Sequence, residues 1–454
     1  MIKFDFNETA KVTTGKHLGL DTSFNQVSTD SRNIETGALF VALKGFQFDG
    51  HHYVKEAIKA GACGLLVDHQ INIDCPQIVV TDTEKALGQL AQAWRQKSEA
   101  TIIALTGSNG KTTVKEMIRA ILGFNHQVHA TQGNMNNEIG LPLTLLHLQL
   151  AEYAVLEMGA AKKGDIHYLT HIAKPHIALL NNAGIAHIEG FGDKETLAKA
   201  KAEIIEGLDD NGIFIYDADS EWRTLWKDLG AGKKQITFGF SETADIRSAD
   251  PAETIWNNEG FKQQFSIMTP DQLIPIELPL AGLHNQKNAL AACAVAWQLN
   301  IPVEQIQQGL AGMRPVAGRL NPTITSTGTR VIDDSYNANP SSTKAAIEFL
   351  ASLAGETILV LGEMAELGKE TLQYHQDIVA FAKVKGIYKL YSYGEALFDA
   401  TPLFTENGFH FDYKIDLINQ LTNDLKGNET VLIKGSRQSG MEIVTQILTG
   451  EKQL

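Results

Sequence analysis

The stretch Thr106 to Thr113, TGSNGKTT, constrains this chain more than any other. Before it stands the apolar, β-branched run TIIAL; after it Val114, Met117, Ile118, Ile121 and Leu122 recur at helical spacing. The order strand, glycine loop, helix turns loop N–H groups and the positive end of a helix toward an anion. In such a loop Lys111 reaches the outer phosphates of a nucleoside triphosphate and Thr112 offers a hydroxyl to Mg²⁺. The full phosphate-loop pattern asks for a further glycine where this chain has Leu105, so Gly107, Gly110, Lys111 and Thr112 form only its compact core. The plainer alternative is that the two glycines merely shape a tight strand-to-helix turn.

At 454 residues the chain exceeds one ordinary core, and two or three domains are expected. A formal charge of −14 without a long Lys/Arg run argues against nucleic acid as a partner. A polyanionic ligand must then be met by local cations and helix N-termini. The start MIKFDFNETA lacks a signal-peptide core, and no run of about 18 apolar residues occurs, so a cytoplasmic protein without membrane insertion is expected. Cys63, Cys75 and Cys293 are odd in number and lack C-x-x-C spacing, which predicts buried thiols rather than disulfides or a zinc site.

Three segments follow from the alternation of apolar runs and helical patterns. Residues 1–83 hold the short runs ALFVAL, CGLLVD and QIVVT around YVKEAIKAGA; residues 84–313 hold the loop unit, then YAVLEMGA, PHIALLNNAG and GIFIYDAD; residues 314–454 hold TRVIDDSY, ETILVLGEM, YKLYSYG and ETVLIKGSR. The predicted fold class is α/β with three domains: a central parallel-sheet domain carrying the loop, a small N-terminal α/β domain and a C-terminal Rossmann-like α/β domain. Ligands of such sheets collect at the carboxyl ends of the strands. GMRPVAGR, Gly312 to Arg319, supplies a hinge between the last two segments.

LEMGA puts Glu157 at a strand end, where a carboxylate can serve a magnesium site. NNAGIAHIEGFG puts His187 in a loop after another strand, and Lys201 follows in a helical stretch. A surface carboxylate at a strand end is the alternative for Glu157; taken alone, His187 reads as a hydrogen-bonded loop histidine and Lys201 as a solvated lysine.

Taken together with STDSR, LKGFQFDGHH, GNMNNEIGLPLTLL, AKAKAEI, GLHNQKNALAA, GRLN, DDSYNANPSS, LGEMAELG and IKGSR, they resemble the Mur ligase family over nearly the full chain. NNEIGLPLTLL, DDSYNANPSS and LGEMAELG are most similar to the member that adds D-alanyl-D-alanine to UDP-N-acetylmuramoyl-tripeptide. Where the diaminopimelate-adding member carries D-N-P-R, this chain has Asn337-Ala338-Asn339-Pro340-Ser341.

The resemblance implies an ATP-dependent ligase: ATP phosphorylates the peptide carboxylate, and the incoming amine displaces phosphate from the acyl phosphate. It implies that Gly107, Ser108, Asn109, Gly110, Lys111, Thr112 and Thr113 cradle ATP, with Thr112, Glu157 and His187 at Mg²⁺. Lys111, Glu157, His187 and Lys201 are the catalytic set. Lys201 matches a lysine that CO₂ carbamylates, a reading that competes with an ordinary salt-bridged lysine. Asn285 and Asn288 match residues near adenine, with helix capping the alternative for Asn285, and Arg319 and Asp334 match residues reaching phosphates and ribose. Ser31 and Arg32 are carried over to the uridine diphosphate end, which makes residues 1–83 the domain for the sugar-nucleotide peptide. Asn136 and Asn137 are carried over to the path toward the γ-phosphate, and Tyr336, Asn337, Asn339 and Arg437 to the dipeptide, with a plain surface position the alternative for Arg437. A monomer is expected. The competing readings are a folate-polyglutamate ligase and a nucleotide-dependent switch without ligase activity.

Overall fold

The computed structural model describes residues 3–45, 47–185, 188–257 and 260–452. Beside a two-stranded ladder of Phe4–Asp5 with Ser23–Phe24, three larger sheets follow one another along the described chain. The first has five strands in the order Lys16–Leu18, Gln77–Val79, Gly64–Val67, Leu39–Val41, Val27–Ser28, parallel except at its first pair. The second has ten strands within residues 101–278, and the third has six within residues 321–434. The α/β class with parallel sheets is therefore what the chain adopts. No helix among the described residues is long and apolar enough to cross a membrane.

Strand order in the second sheet decides where the loop sits. Thr101–Thr106 lies between Tyr153–Glu157 on one side and Ile177–Leu180 on the other, all parallel. The chain leaves this strand toward one neighbour and later returns beside it on the opposite side, which opens a crevice at its carboxyl end. TGSNGKTT begins there, with Glu157 ending one flanking strand and Asn181 following the other. The third sheet repeats the device: Thr430–Lys434 lies between Arg330–Asp334 and Thr357–Gly362, so Lys434 and Asp334 end adjacent parallel strands.

The loop helix Lys111–Leu122 buries the predicted face completely: Val114, Met117, Ile118, Ile121 and Leu122 are all in the core. It packs against the helix Leu283–Gln298, which is apolar around most of its circumference and correspondingly buried. One departure from an all-parallel central sheet is an antiparallel arm, in which Gly260–Met268 pairs with Ile246–Ser248, Glu253–Asn257 and Leu273–Leu278. GFKQQFSIM alternates apolar and polar residues, as suits a strand with one face packed and one wet. The expectation of three buried thiols is corrected: Cys293 is buried, but Cys63 and Cys75 are only half-buried, because they lie on the small first unit, where less chain is available to cover them.

Helix Val303–Ala311 comes so close to the loop helix that a Cβ on Gly309 would lie 2.4 Å from Ile121 Cα and 2.9 Å from the Ala120 carbonyl oxygen. Backbone cannot move aside as a side chain can. Gly309→Ala gains about 1 kcal/mol of helix propensity but overpacks this contact at a cost of about 1–3 kcal/mol. The variant is expected to unfold at lower urea concentration than the parent; an equal or higher midpoint would show that the two helices can separate freely.

Candidate active site

The phosphate loop is held from behind by asparagines. The Asn109 N–H donates to Asn182 Oδ1 at 2.9 Å, and its carbonyl accepts from Asn181 Nδ2 at 3.0 Å and from Asn182 Nδ2 at 2.9 Å. Ser108 adds its N–H to the Asn182 carbonyl and its hydroxyl to that of Gly184. Gly110 has φ +77°, and a Cβ there would stand 2.5 Å from Asn288 Oδ1, so both conformation and space demand glycine. Asn288, buried, accepts from Asn181 Nδ2 and donates to Asn285 Oδ1, while Asn285 Nδ2 donates to the Ala281 carbonyl. Gly282, not Asn285, stands at the helix N-cap.

Lys111 Nζ folds back onto the Gly107 carbonyl at 2.8 Å, and burial pushes its amine below the usual lysine range. Beside it the buried Glu157 accepts from Thr112 Oγ1 at 3.0 Å and Asn136 Nδ2 at 2.8 Å, and its own N–H donates to Thr131 Oγ1. Thr112 and Glu157 thus offer hard oxygens side by side, a donor set that suits Mg²⁺. Asn137 Oδ1 accepts from the Gly140 N–H and fixes the turn that presents Asn136. His187 lies outside the described residues.

Lys201 is 1% exposed on the helix Lys194–Ala202. Burial, reinforced by the positive Lys111, pushes its amine down to about 7, against the upward pull of Asp165 and Glu203. A lysine in this setting gives up its proton far more readily than the solvated lysine its sequence context suggests.

The third unit closes a cleft of about 1060 Å³ over the loop. Arg319 Nη2 donates to Thr112 Oγ1 at 3.1 Å, and its guanidinium lies 4.4 Å from the centre of the Tyr336 ring, with Arg437 at 5.9 Å from the same ring. Lys434 Nζ, 2% exposed in its whole residue, donates to Asp334 Oδ2 at 2.5 Å and to the Asn337 carbonyl at 3.1 Å. Asn337 Oδ1 accepts from the Arg437 N–H at 3.4 Å. Asn339 Nδ2 reaches across to Asn109 Oδ1 at 2.7 Å.

Most of the predicted residues therefore meet around one cleft, to which Ser108 to Thr113, Asn136, Asn137, Glu157, Asn285, Asn288, Arg319, Asp334, Tyr336, Asn337, Asn339 and Arg437 all contribute. Ser31, Arg32, Gly107 and Lys201 do not line it. Arg32 is exposed and forks onto Asp30 through Nε at 2.9 Å and Nη2 at 2.7 Å, holding the Asp30 carboxyl down at about 2. Sequence reasoning missed Asn181, Asn182 and Lys434. NNAG and IKGSR contain them, and a polar residue closing a buried parallel strand was the available signal, the same one that marks Glu157.

Three family models match in sequence order: "Mur ligase family, catalytic domain" over residues 23–95, "Mur ligase middle domain" over 105–296 and "Mur ligase, glutamate ligase domain" over 318–437. The chain belongs to the Mur ligase family. Among curated members, the UDP-N-acetylmuramoyl-tripeptide--D-alanyl-D-alanine ligase of Escherichia coli (strain K12) is 40% identical over 451 residues, covering 99% of each chain. A crystal structure of MurF from Acinetobacter baumannii superposes with a TM-score of 0.93 at 32% identity over all of both chains. MurF ligase from Thermotoga maritima in complex with ADP superposes at 0.84 with 30% identity, covering 94% of this chain and 97% of that one. Asn181, Asn182 and Glu157 of this Mur ligase chain lie inside the matched middle domain, and Arg319, Asp334, Lys434 and Arg437 inside the matched C-terminal one.

The buried Lys201 amine has a stability signature. Unfolded, it holds its proton up to about pH 10.4; native, it releases it near 7. Between these values the unfolded chain binds more protons, so native stability rises with pH, and the cost of burying the charge is fully present below 7. At about 1.4 kcal/mol per pKa unit, Lys201→Met is expected to raise the melting temperature by several degrees in mildly acidic buffer. That gain should shrink as the buffer becomes alkaline. A melting difference that stays constant from acid to alkaline buffer would refute a depressed amine.

Proposed function

We propose that this chain is the ATP-dependent ligase that joins D-alanyl-D-alanine to UDP-N-acetylmuramoyl-tripeptide through an acyl phosphate, a step in building peptidoglycan precursors. The observation that carries the reading is the 40% identity with the Escherichia coli ligase over 99% of both chains. The arrangement of cations around the phosphate loop supports it.

A carboxylate and an ammonium do not condense in water; transferring the γ-phosphate of ATP to the carboxylate replaces a poor oxide leaving group with phosphate. The amine then attacks the acyl carbon, the C–O bond to phosphate breaks, and the amine loses a proton. Two anions must approach in the first step, so positive charge has to be fixed beforehand. Lys111, whose Nζ rests on the Gly107 carbonyl, supplies it from within the loop, and Arg319 supplies it from the third unit through its contact with Thr112. Thr112 and Glu157, with His187 as a further ligand, would hold Mg²⁺, which supplies shielding of the phosphate oxygens.

Once its ammonium has given up a proton, the neutral Lys201 amine would attack CO₂: an N–C bond forms, a second proton leaves, and the side chain becomes a carbamate anion that would support a second Mg²⁺. Asn285 and Asn288 serve the adenine end from behind the loop: both amides are already committed, Asn288 to Asn181 and Asn285, and Asn285 to Asn288 and the Ala281 carbonyl, so each acts by holding the wall of the site. Asp334, tied to Lys434, faces the ribose. Tyr336, Asn337 and Arg437 line the side from which the dipeptide would enter, and Arg437 remains exposed enough to receive its carboxylate. Ser31 and Arg32 take the uridine diphosphate end, outside the cleft, which suits a long substrate running from residues 1–83 to the loop in 84–313 and meeting the acceptor held by 314–454. A monomer acting in the cytoplasm fits this division of labour.

Purified protein with Mg²⁺ and ATP is expected to sustain ADP release only when both the nucleotide tripeptide and D-alanyl-D-alanine are present, and Lys111→Ala should lower kcat by about 10²–10³-fold, as for loss of a preorganised charge contact. Sustained ADP release that needs a folate instead, or that continues well beyond one equivalent of enzyme without any acceptor, would replace the reading.

A further inference from the structure

The stretch Asn337 to Ser341 does more than face an acceptor. Its Asn339 side chain works in two directions. Oδ1 accepts from the Ser342 N–H at 2.9 Å, while the Asn339 N–H donates to Ser342 Oγ at 3.1 Å, a capping box that starts the helix Pro340–Ala351. Nδ2 donates to Asn109 Oδ1 at 2.7 Å, and Asn109 Nδ2 returns toward Asn339 Oδ1 at 3.5 Å.

Two residues on, Ser341 Oγ accepts from the Ile185 N–H at 3.0 Å. It lies so close that a Cβ on Gly184 would stand 2.8 Å from it. Both anchor points carry chemistry: Asn109 belongs to the phosphate loop, and Ile185 stands two positions before His187. At the other end of the same stretch, Asn337 is gripped by Lys434 Nζ and the Arg437 N–H.

The backbone of Asn109 is already fully engaged by Asn181 and Asn182, so only its side chain is available to register the third unit. Pro340, at the first turn, fixes the backbone between the two contacts.

We propose that Asn339 and Ser341 are positioning residues that latch the third unit onto the phosphate loop, so that the acceptor-side groups at Asn337 and the ATP-side groups at Asn109 are brought into register by one short rigid stretch. In place of an arginine that would read an acceptor, Ser341 reads the loop leading to His187. The rate consequences of the latch rest on the ligase reading above; the docking itself does not.

Asn339→Ser keeps a good helix cap but is too short to reach Asn109, so the fold survives while the bridge is lost. The test compares full-length wild type, Asn109→Ser, Asn339→Ser and the double variant. In solution scattering without nucleotide, Asn339→Ser is expected to give a larger radius of gyration than wild type, with an unchanged melting temperature. In ligase assays each single variant should lose about tenfold in kcat, with KM for ATP within about twofold, and the double variant should lose no more than the worse single one, the signature of a shared contact. Losses that multiply in the double variant, or a scattering profile identical to wild type, would overturn the latch. Should wild type prove inactive with the nucleotide tripeptide and dipeptide, the ligase reading falls and the scattering comparison still decides the latch.

Discussion

A loop that turns its N–H groups toward phosphate has to satisfy its carbonyls and spare N–H groups elsewhere, and in this chain the partners are amide side chains. Asn181 and Asn182 bind both backbone groups of Asn109, and Asn288 braces Asn181 from the helix behind. An unpaired buried polar group costs about 1–3 kcal/mol, so this set is an all-or-none arrangement: it holds the loop in one shape or fails together. Glu157, Thr112, Lys111 and the contacts from the third unit are all placed relative to that shape. Amides suit the task because each offers a donor and an acceptor without adding charge beside an anion site.

Charge is then added sparingly. The chain is acidic overall, yet the cleft gathers Lys111, Lys287, Arg319, Lys434 and Arg437, and several are held by specific acids. Lys434 is bound to Asp334, and Lys287 to Asp217 and Asp219 at 2.7 and 3.0 Å. Lys201 stands apart from these and does not line the cleft. Its nearest carboxylates do not neutralise it, and burial leaves it close to losing its proton. Burial lowers both Lys111 and Lys201, the latter to about 7, while nearby acids pull the other way, so the balance of burial and partners rather than residue type sets how readily each amine sheds its proton.

The third unit reaches the loop through short, polar contacts: Arg319 to Thr112, Asn339 to Asn109 and Ser341 to Ile185. Away from the loop the same unit is seated on the antiparallel arm by an apolar seam, in which Phe261 packs on Phe349 beside Ala281 and Leu320, so polar contacts meet the loop while buried apolar surface holds the unit to the arm.

The loop helix was legible in the sequence, since Val114, Met117, Ile118, Ile121 and Leu122 recur at the period of one helix face and TGSNGKTT can serve few other ends. The α/β class followed from alternating apolar runs and helical patterns, and Glu157 from its place at a strand end. Beyond reach were the antiparallel arm of residues 246–278, the partners that Asn181 and Asn182 take in the loop, the pairing of Lys434 with Asp334 and the crossing from Asn339 to Asn109. Sequence by itself determined the local elements and the kinds of chemistry at their ends, because periodicity and turn residues act over a few positions. Tertiary structure alone decided which ends became neighbours and which lysine lost its solvent, because strand order and burial join residues as far apart as Asn109 and Asn339.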